Sequence, residues 1–134
     1  MKKQNPLLNQ DGFTLVEIIA VLIILGILAA VAVPRYIDLE RNAKIRAVDA
    51  AVAELNGRES LTWADVKISA TGYPEGTGDD VVWGRLDTDL GADYTSVSFT
   101  QAAGGTFSFK GETYTFSRTP STRARPGSWR RVAP

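Results

Sequence analysis

A chain of 134 residues, 44% of them hydrophobic and with neither Cys nor His, has room for one small domain plus an apolar stem. The missing residues exclude disulfides, thiol nucleophiles, zinc centres built on Cys or His, and imidazole acid–base chemistry. Fifteen basic and fifteen acidic side chains cancel overall, but Arg35 to Ser117 carries eight basic and thirteen acidic residues, whereas Arg118 to Pro134 carries five Arg and no acid, so an acidic body adjoins a basic tail.

Met1 to Gly12 is a short stretch with Lys2 and Lys3. Phe13 to Val33 then gives 21 residues in which Glu17 is the only ionisable side chain. As a helix this run spans ~30 Å, the thickness of a bilayer's hydrocarbon core. A secretory signal has a shorter apolar run, roughly 7–15 residues, followed by a small-residue cleavage site, so the stretch reads as a retained membrane helix. Lys2 and Lys3 favour a cytoplasmic N-terminus. Glu17 needs an explanation, because an ionised carboxylate near the bilayer centre costs ~2.5–3.5 kcal/mol on insertion scales. Either it lies close enough to the headgroups to snorkel, or it awaits a cation. A cut between Gly12 and Phe13 would free an α-amine near Glu17 in sequence, and the amine of one subunit would neutralise the Glu17 of another inside an apolar helix bundle. Gly26 lowers helix propensity, and Pro34 removes a backbone donor, so a kink or loosened turn is expected at Pro34.

The stretch Gly12-Phe13-Thr14-Leu15-Val16-Glu17, preceded by a short basic leader and followed by the apolar run, closely resembles the cleavage and methylation motif of type IV pilins and type II secretion pseudopilins. The resemblance covers about Met1 to Glu40. It implies a prepilin peptidase that cuts after Gly12 and methylates Phe13. It also implies a Glu17 that sets subunit register, and a Gly26–Pro34 stretch that loses helix when subunits pack. The implied fold class is α+β, type IV pilin-like: a long N-terminal helix, half membrane and half amphipathic, packed on a small antiparallel sheet. The implied partners are copies of itself, other pilins, the peptidase, an inner-membrane assembly platform and the membrane. The implied location is the inner membrane as a single pass with a periplasmic head, then a filament in the periplasm or at the cell surface. Many pilins close a C-terminal loop with a disulfide, which this chain lacks.

Residues 13–34 therefore form the membrane half of the stem, and 35–66 its amphipathic half. In the latter, Ile45, Val48, Val52, Leu55, Trp63 and Val66 recur at helical steps among helix-favouring Ala residues. Asn56-Gly57 is a helix-ending signal, outweighed by the apolar spacing beyond it. Residues 67–93, rich in Gly, Asp, Thr and Pro, read as a connecting loop with one short strand at Val81-Val82-Trp83. Residues 94–134 read as antiparallel strands and a basic tail. Tyr94 to Thr100 places Val97 and Phe99 on one face. Thr106 to Lys110 and Glu112 to Arg118 form a hairpin about Lys110-Gly111, pairing Phe109 with Glu112 and Phe107 with Tyr114. This aromatic face is expected on the Ile45–Leu55 stripe.

Two further constellations stand in the head. Asp87, Asp89 and Asp93 around Gly91 supply oxygens at alternate positions, as calcium prefers, although Asp is also common in turns for capping alone. Calcium is the one cofactor candidate, and nothing near these acids supplies a nucleophile for catalysis. Arg123, Arg125, Arg130, Arg131 and Trp129 offer phosphate-binding cations and a stacking ring for DNA. The preferred reading of the tail is contact with the acidic body of its own or a neighbouring subunit. The expected function is a non-enzymatic structural subunit of a helical filament, the type IV pilus. The alternatives are a type II secretion pseudopilin, or a minor pilin acting as a DNA- or surface-binding module.

Overall fold

A computed structural model describes residues 13–132. Residues 1–12, which hold the expected leader and the Gly12 side of the expected cut, lie outside the described residues, as do 133 and 134. The chain divides into one unit up to Glu40 and a second from Arg41.

Helix α1 (Leu15–Ile68) is continuous over 54 residues, two residues beyond the expected end. It passes through Gly26 and Pro34 without a break, so the loosened turn expected there is absent from the single chain. One proline removes one backbone bond, and the strong helix formers on either side propagate the helix across it. Asn56-Gly57 likewise fails to end it, because the apolar stripe on both sides is buried against the head. In the first unit every side chain from Phe13 to Glu40 is exposed, and by length and composition α1 is able to cross a membrane.

In the second unit, α1 and a short helix α2 (Gly78–Arg85) accompany a four-stranded antiparallel sheet of order β1-β2-β3-β4. The strands are β1 (Tyr94–Thr100), β2 (Gly104–Phe109), β3 (Glu112–Thr119) and β4 (Ser128–Arg131). The strand expected at Val81-Val82-Trp83 is instead the middle of α2. Gly78, Val82 and Leu86 are buried at steps of four, which is one helical face, and Asp79 and Asp80 in the first turn suit the positive end of the helix. The tail also departs from expectation, because its Ser128–Arg131 stretch pairs with β3 as a fourth strand.

The β2–β3 hairpin has the expected register, Phe109 opposite Glu112 and Phe107 opposite Tyr114. Lys110 (φ 49°) and Gly111 (φ 82°) both take the left-handed conformation of a two-residue turn matched to strand twist. In β1 the pairing slips between Thr95 and Ser98, with Ser96 at φ 52°. The extra residue turns Val97 out to solvent while Phe99 still reaches the core. The core joins Val48, Ala51 and Leu55 of α1 to Leu86, Phe107, Phe116 and Trp129. Phe107 and Phe116 stack at 4.3 Å between ring centroids. The aromatic face of the hairpin thus lies on the α1 stripe.

One polar side chain closes the outer edge of the sheet. Asn56 Nδ2 donates to the Trp129 carbonyl at 2.9 Å, and Trp129 N–H donates to Asn56 Oδ1 at 2.8 Å.

Candidate functional site

The head of α1 is capped by its own motif. Thr14 stands at the N-cap and Glu17 three residues on. Thr14 N–H donates to Glu17 Oε2 at 2.7 Å, Thr14 Oγ1–H donates to the same oxygen at 2.8 Å, and Glu17 N–H donates to Thr14 Oγ1 at 3.3 Å. This reciprocal pattern is a capping box, which satisfies backbone donors that a helix start otherwise leaves open. It matters more in an apolar surrounding, where no water replaces the lost bonds. Glu17 therefore has a local role as well as any role between subunits. Its Oε1 makes no hydrogen bond among the described residues and remains an acceptor. Phe13, just ahead of the box, is exposed.

The head contains a buried ionic group that sequence reasoning missed. Glu59 on α1 and Arg118 on β3 have fully buried side chains. Arg118 Nε donates to Glu59 Oε2 at 3.0 Å, and its Nη2 donates to Glu59 Oε1 and, at 2.7 Å, to Asp79 Oδ1. Its Nη1 donates to Asp79 Oδ2 at 3.0 Å and to the Gln101 carbonyl at 2.6 Å. The guanidinium lies 5.0 Å from the Trp83 ring centroid and 5.9 Å from that of Trp129, close enough for cation–π attraction. Burial alone would raise the Asp79 pKa, but hydrogen bonds from Arg118, Gln101 and Ser121 outweigh it and hold the carboxyl well below the usual carboxylate range. Burial works against the Arg118 charge in the same way, and the bonds and charges of Glu59 and Asp79 overcome it. Gly127 abuts the Glu59 carboxylate so closely that a Cβ there would collide with it. The signal was present in the sequence: Glu59 falls four residues after Leu55 and seven before Val66, on the apolar stripe, where an acid demands a partner.

The other expected site residues are placed as follows. Asp87 pairs with Arg58 at 3.3 Å and accepts the Asp89 N–H, Asp89 accepts the Gly91 N–H, and Asp93 faces Lys110 at 3.9 Å. These acids are engaged as turn caps and surface ion pairs. Among the described residues no three His, Cys, Asp or Glu side chains are gathered to hold a metal ion. The expected nucleic-acid set is dispersed. Trp129 is only 3% exposed, and its indole N–H donates to Glu59 Oε2 at 2.8 Å, so it offers no face for base stacking. Arg131 pairs with Asp49 at 2.8 Å and Arg130 donates to Ser117 Oγ. Arg123 and Arg125 stand on a tight turn closed by Thr122 N–H donating to the Arg125 carbonyl at 2.8 Å, and have no acidic partner among the described residues. The tail therefore folds back on its own head through Trp129 and Arg131.

A family model described as the prokaryotic N-terminal methylation motif matches residues 7–33. The chain is 39% identical over 67 residues to the type IV narrow pilus major component PilA5 of Thermus thermophilus, covering 50% of this chain and 54% of that protein. It is 37% identical over 73 residues to a fimbrial protein of Pseudomonas aeruginosa, covering 54% of this chain and 47% of that one. The chain thus spans about half the length of the curated relatives it matches, and no solved structure matches it. Its methylation motif, its apolar helix and its helix-on-sheet head agree with these likenesses to pilus and fimbrial proteins.

Proposed function

We propose that the chain is the precursor of a structural subunit of a helical filament, a type IV pilus. The observation that carries this reading is the run from Phe13 to Val33, apolar on all sides, wholly exposed, and headed by the Thr14–Glu17 cap. A surface of that kind has two stable surroundings, lipid and other copies of itself. A prepilin peptidase cuts between Gly12 and Phe13 and methylates the new terminus. The inner membrane holds the subunit by this helix, with the head in the periplasm, until an assembly platform transfers it to the filament.

Within the bundle, the Phe13 amine of one subunit neutralises the Glu17 of another. Burying a charge pair needs nearly full compensation, so the pair acts more on register than on affinity. The capping box holds the Glu17 carboxylate at the helix mouth and leaves Oε1 open to the incoming amine. Gly26 to Pro34, helical in the single chain, is where crowding of neighbouring stems is relieved. The role is structural and uses no cofactor.

Intact-mass measurement of filaments from the native source tests the reading. The expected subunit begins at Phe13 and carries one added methyl group. Filaments made of chains that begin at Met1 would overturn it.

A further inference from the structure

The buried ionic group has an unequal count of charges, and one stretch of chain answers it. Glu59 and Asp79 share the single guanidinium of Arg118, whose five N–H groups are all engaged. One negative charge is left over in a place largely closed to water. Besides Gln101 Nε2, the donors that meet this excess all come from the C-terminal stretch. Trp129 Nε1–H donates to Glu59 Oε2 at 2.8 Å, and Ser121 N–H and Oγ–H both donate to Asp79 Oδ1 at 2.7 Å.

The same stretch is gripped by one stripe on α1, at steps of seven and four. Asn56 takes both backbone groups of Trp129, Trp63 Nε1–H donates to the Thr122 carbonyl at 2.8 Å, and Lys67 Nζ donates to the Arg123 carbonyl at 2.8 Å. Tyr73 adds a bond to the Ser121 carbonyl at 2.9 Å. By contrast its own ladder is slight. β4 has four residues, lies at the sheet edge and pairs with β3 alone. The chain has no Cys, so no disulfide fixes the stretch.

We propose that Pro120–Val132 is a strap, which closes over the Glu59–Arg118–Asp79 group as one piece and opens as one piece while α1, α2 and β1–β3 stay folded. All three charged residues belong to the body, so the ion pairs survive when the strap lifts, and water then hydrates the surplus charge. Closure removes that water, supplies the three donors and seats Trp129 in the core. The balance between the two states is what allows local opening well below the free energy of global unfolding. The strap is independent of the filament reading.

Hydrogen exchange on the full chain in detergent micelles, read by mass spectrometry, tests this. Amides from Ser121 to Arg131 are expected to exchange together, on the order of tenfold or more faster than those of β2. Trp129→Phe keeps a ring and removes the indole donor, and Ser121→Ala removes the hydroxyl donor. Each is expected to speed strap exchange by on the order of tenfold with β2 unchanged. Equal rates in strap and β2 in the unaltered chain would overturn the strap. So would substitutions that speed both segments alike, or neither. If Trp129→Phe fails to fold, Ser121→Ala alone decides.

Discussion

Arg118→Met is the substitution with the largest expected consequence. It keeps much of the side chain's length and apolar stem while deleting the guanidinium. Glu59, fully buried, would be left with the Trp129 N–H, and Asp79 with Gln101 and Ser121. Removing one partner of a buried ion pair costs ~3–5 kcal/mol. In a head of this size each kcal/mol lowers Tm by roughly 4–8 °C, so a fall of ~12 °C or more is expected. Glu59→Gln acts differently. It retains a carbonyl acceptor and removes the surplus charge, so its cost is expected near ~1–2 kcal/mol. Glu59→Leu combined with Arg118→Met should be milder than Arg118→Met alone, because the double change leaves less uncompensated charge behind. Urea unfolding of the full chain in micelles, followed by tryptophan fluorescence, measures all three. An Arg118→Met chain within ~1 kcal/mol of the unaltered one, or a double variant less stable than that single, would refute the account of the buried group.

Gly12→Val should leave the leader attached, seen as an intact mass heavier by residues 1–12; normal trimming would remove the assigned cleavage site. Glu17→Val should still insert and be cut but yield few filaments by electron microscopy, and normal assembly would exclude a register role for Glu17. Asp79 gains stability above its ordinary unfolded pKa, near ~4, and loses it as pH falls toward its depressed folded value; Asp79→Asn should therefore flatten the acid limb of a Tm-against-pH curve below about pH 4. Chelator should leave Tm unchanged, since Asp87, Asp89 and Asp93 are engaged as turn caps and with Arg58 and Lys110; a drop would instead support calcium binding.

The stem and the hairpin were legible because each rests on a short-range period. Val48, Leu55 and Val66 mark one helical face, and Lys110-Gly111 between alternating aromatics fixes a strand register. Val81-Val82-Trp83 misled because a short apolar run has no period of its own, and only the spacing of Gly78, Val82 and Leu86 reveals α2. The tail was only partly legible, for another reason. Arg118 and Trp129 are polar-tipped side chains whose partners, Glu59 and Asp79, lie 59 and 39 residues from Arg118. No local pattern encodes that pairing, and the charge asymmetry pointed only to contact between a basic tail and an acidic body. At Phe13–Glu17 the sequence carries a methylation motif and also the Thr14-x-x-Glu17 spacing of a capping box, and the structure forms that cap.

The amide of Asn56 has a consequence for how copies of this chain meet. It fills the backbone groups of Trp129 that a fifth strand would otherwise use, and a bare edge invites such additions. The sheet is thereby barred at that position from growing sideways by ladder extension, the route to cross-β fibres. If copies assemble as proposed, contact at Trp129 therefore falls to side chains and not to a shared ladder.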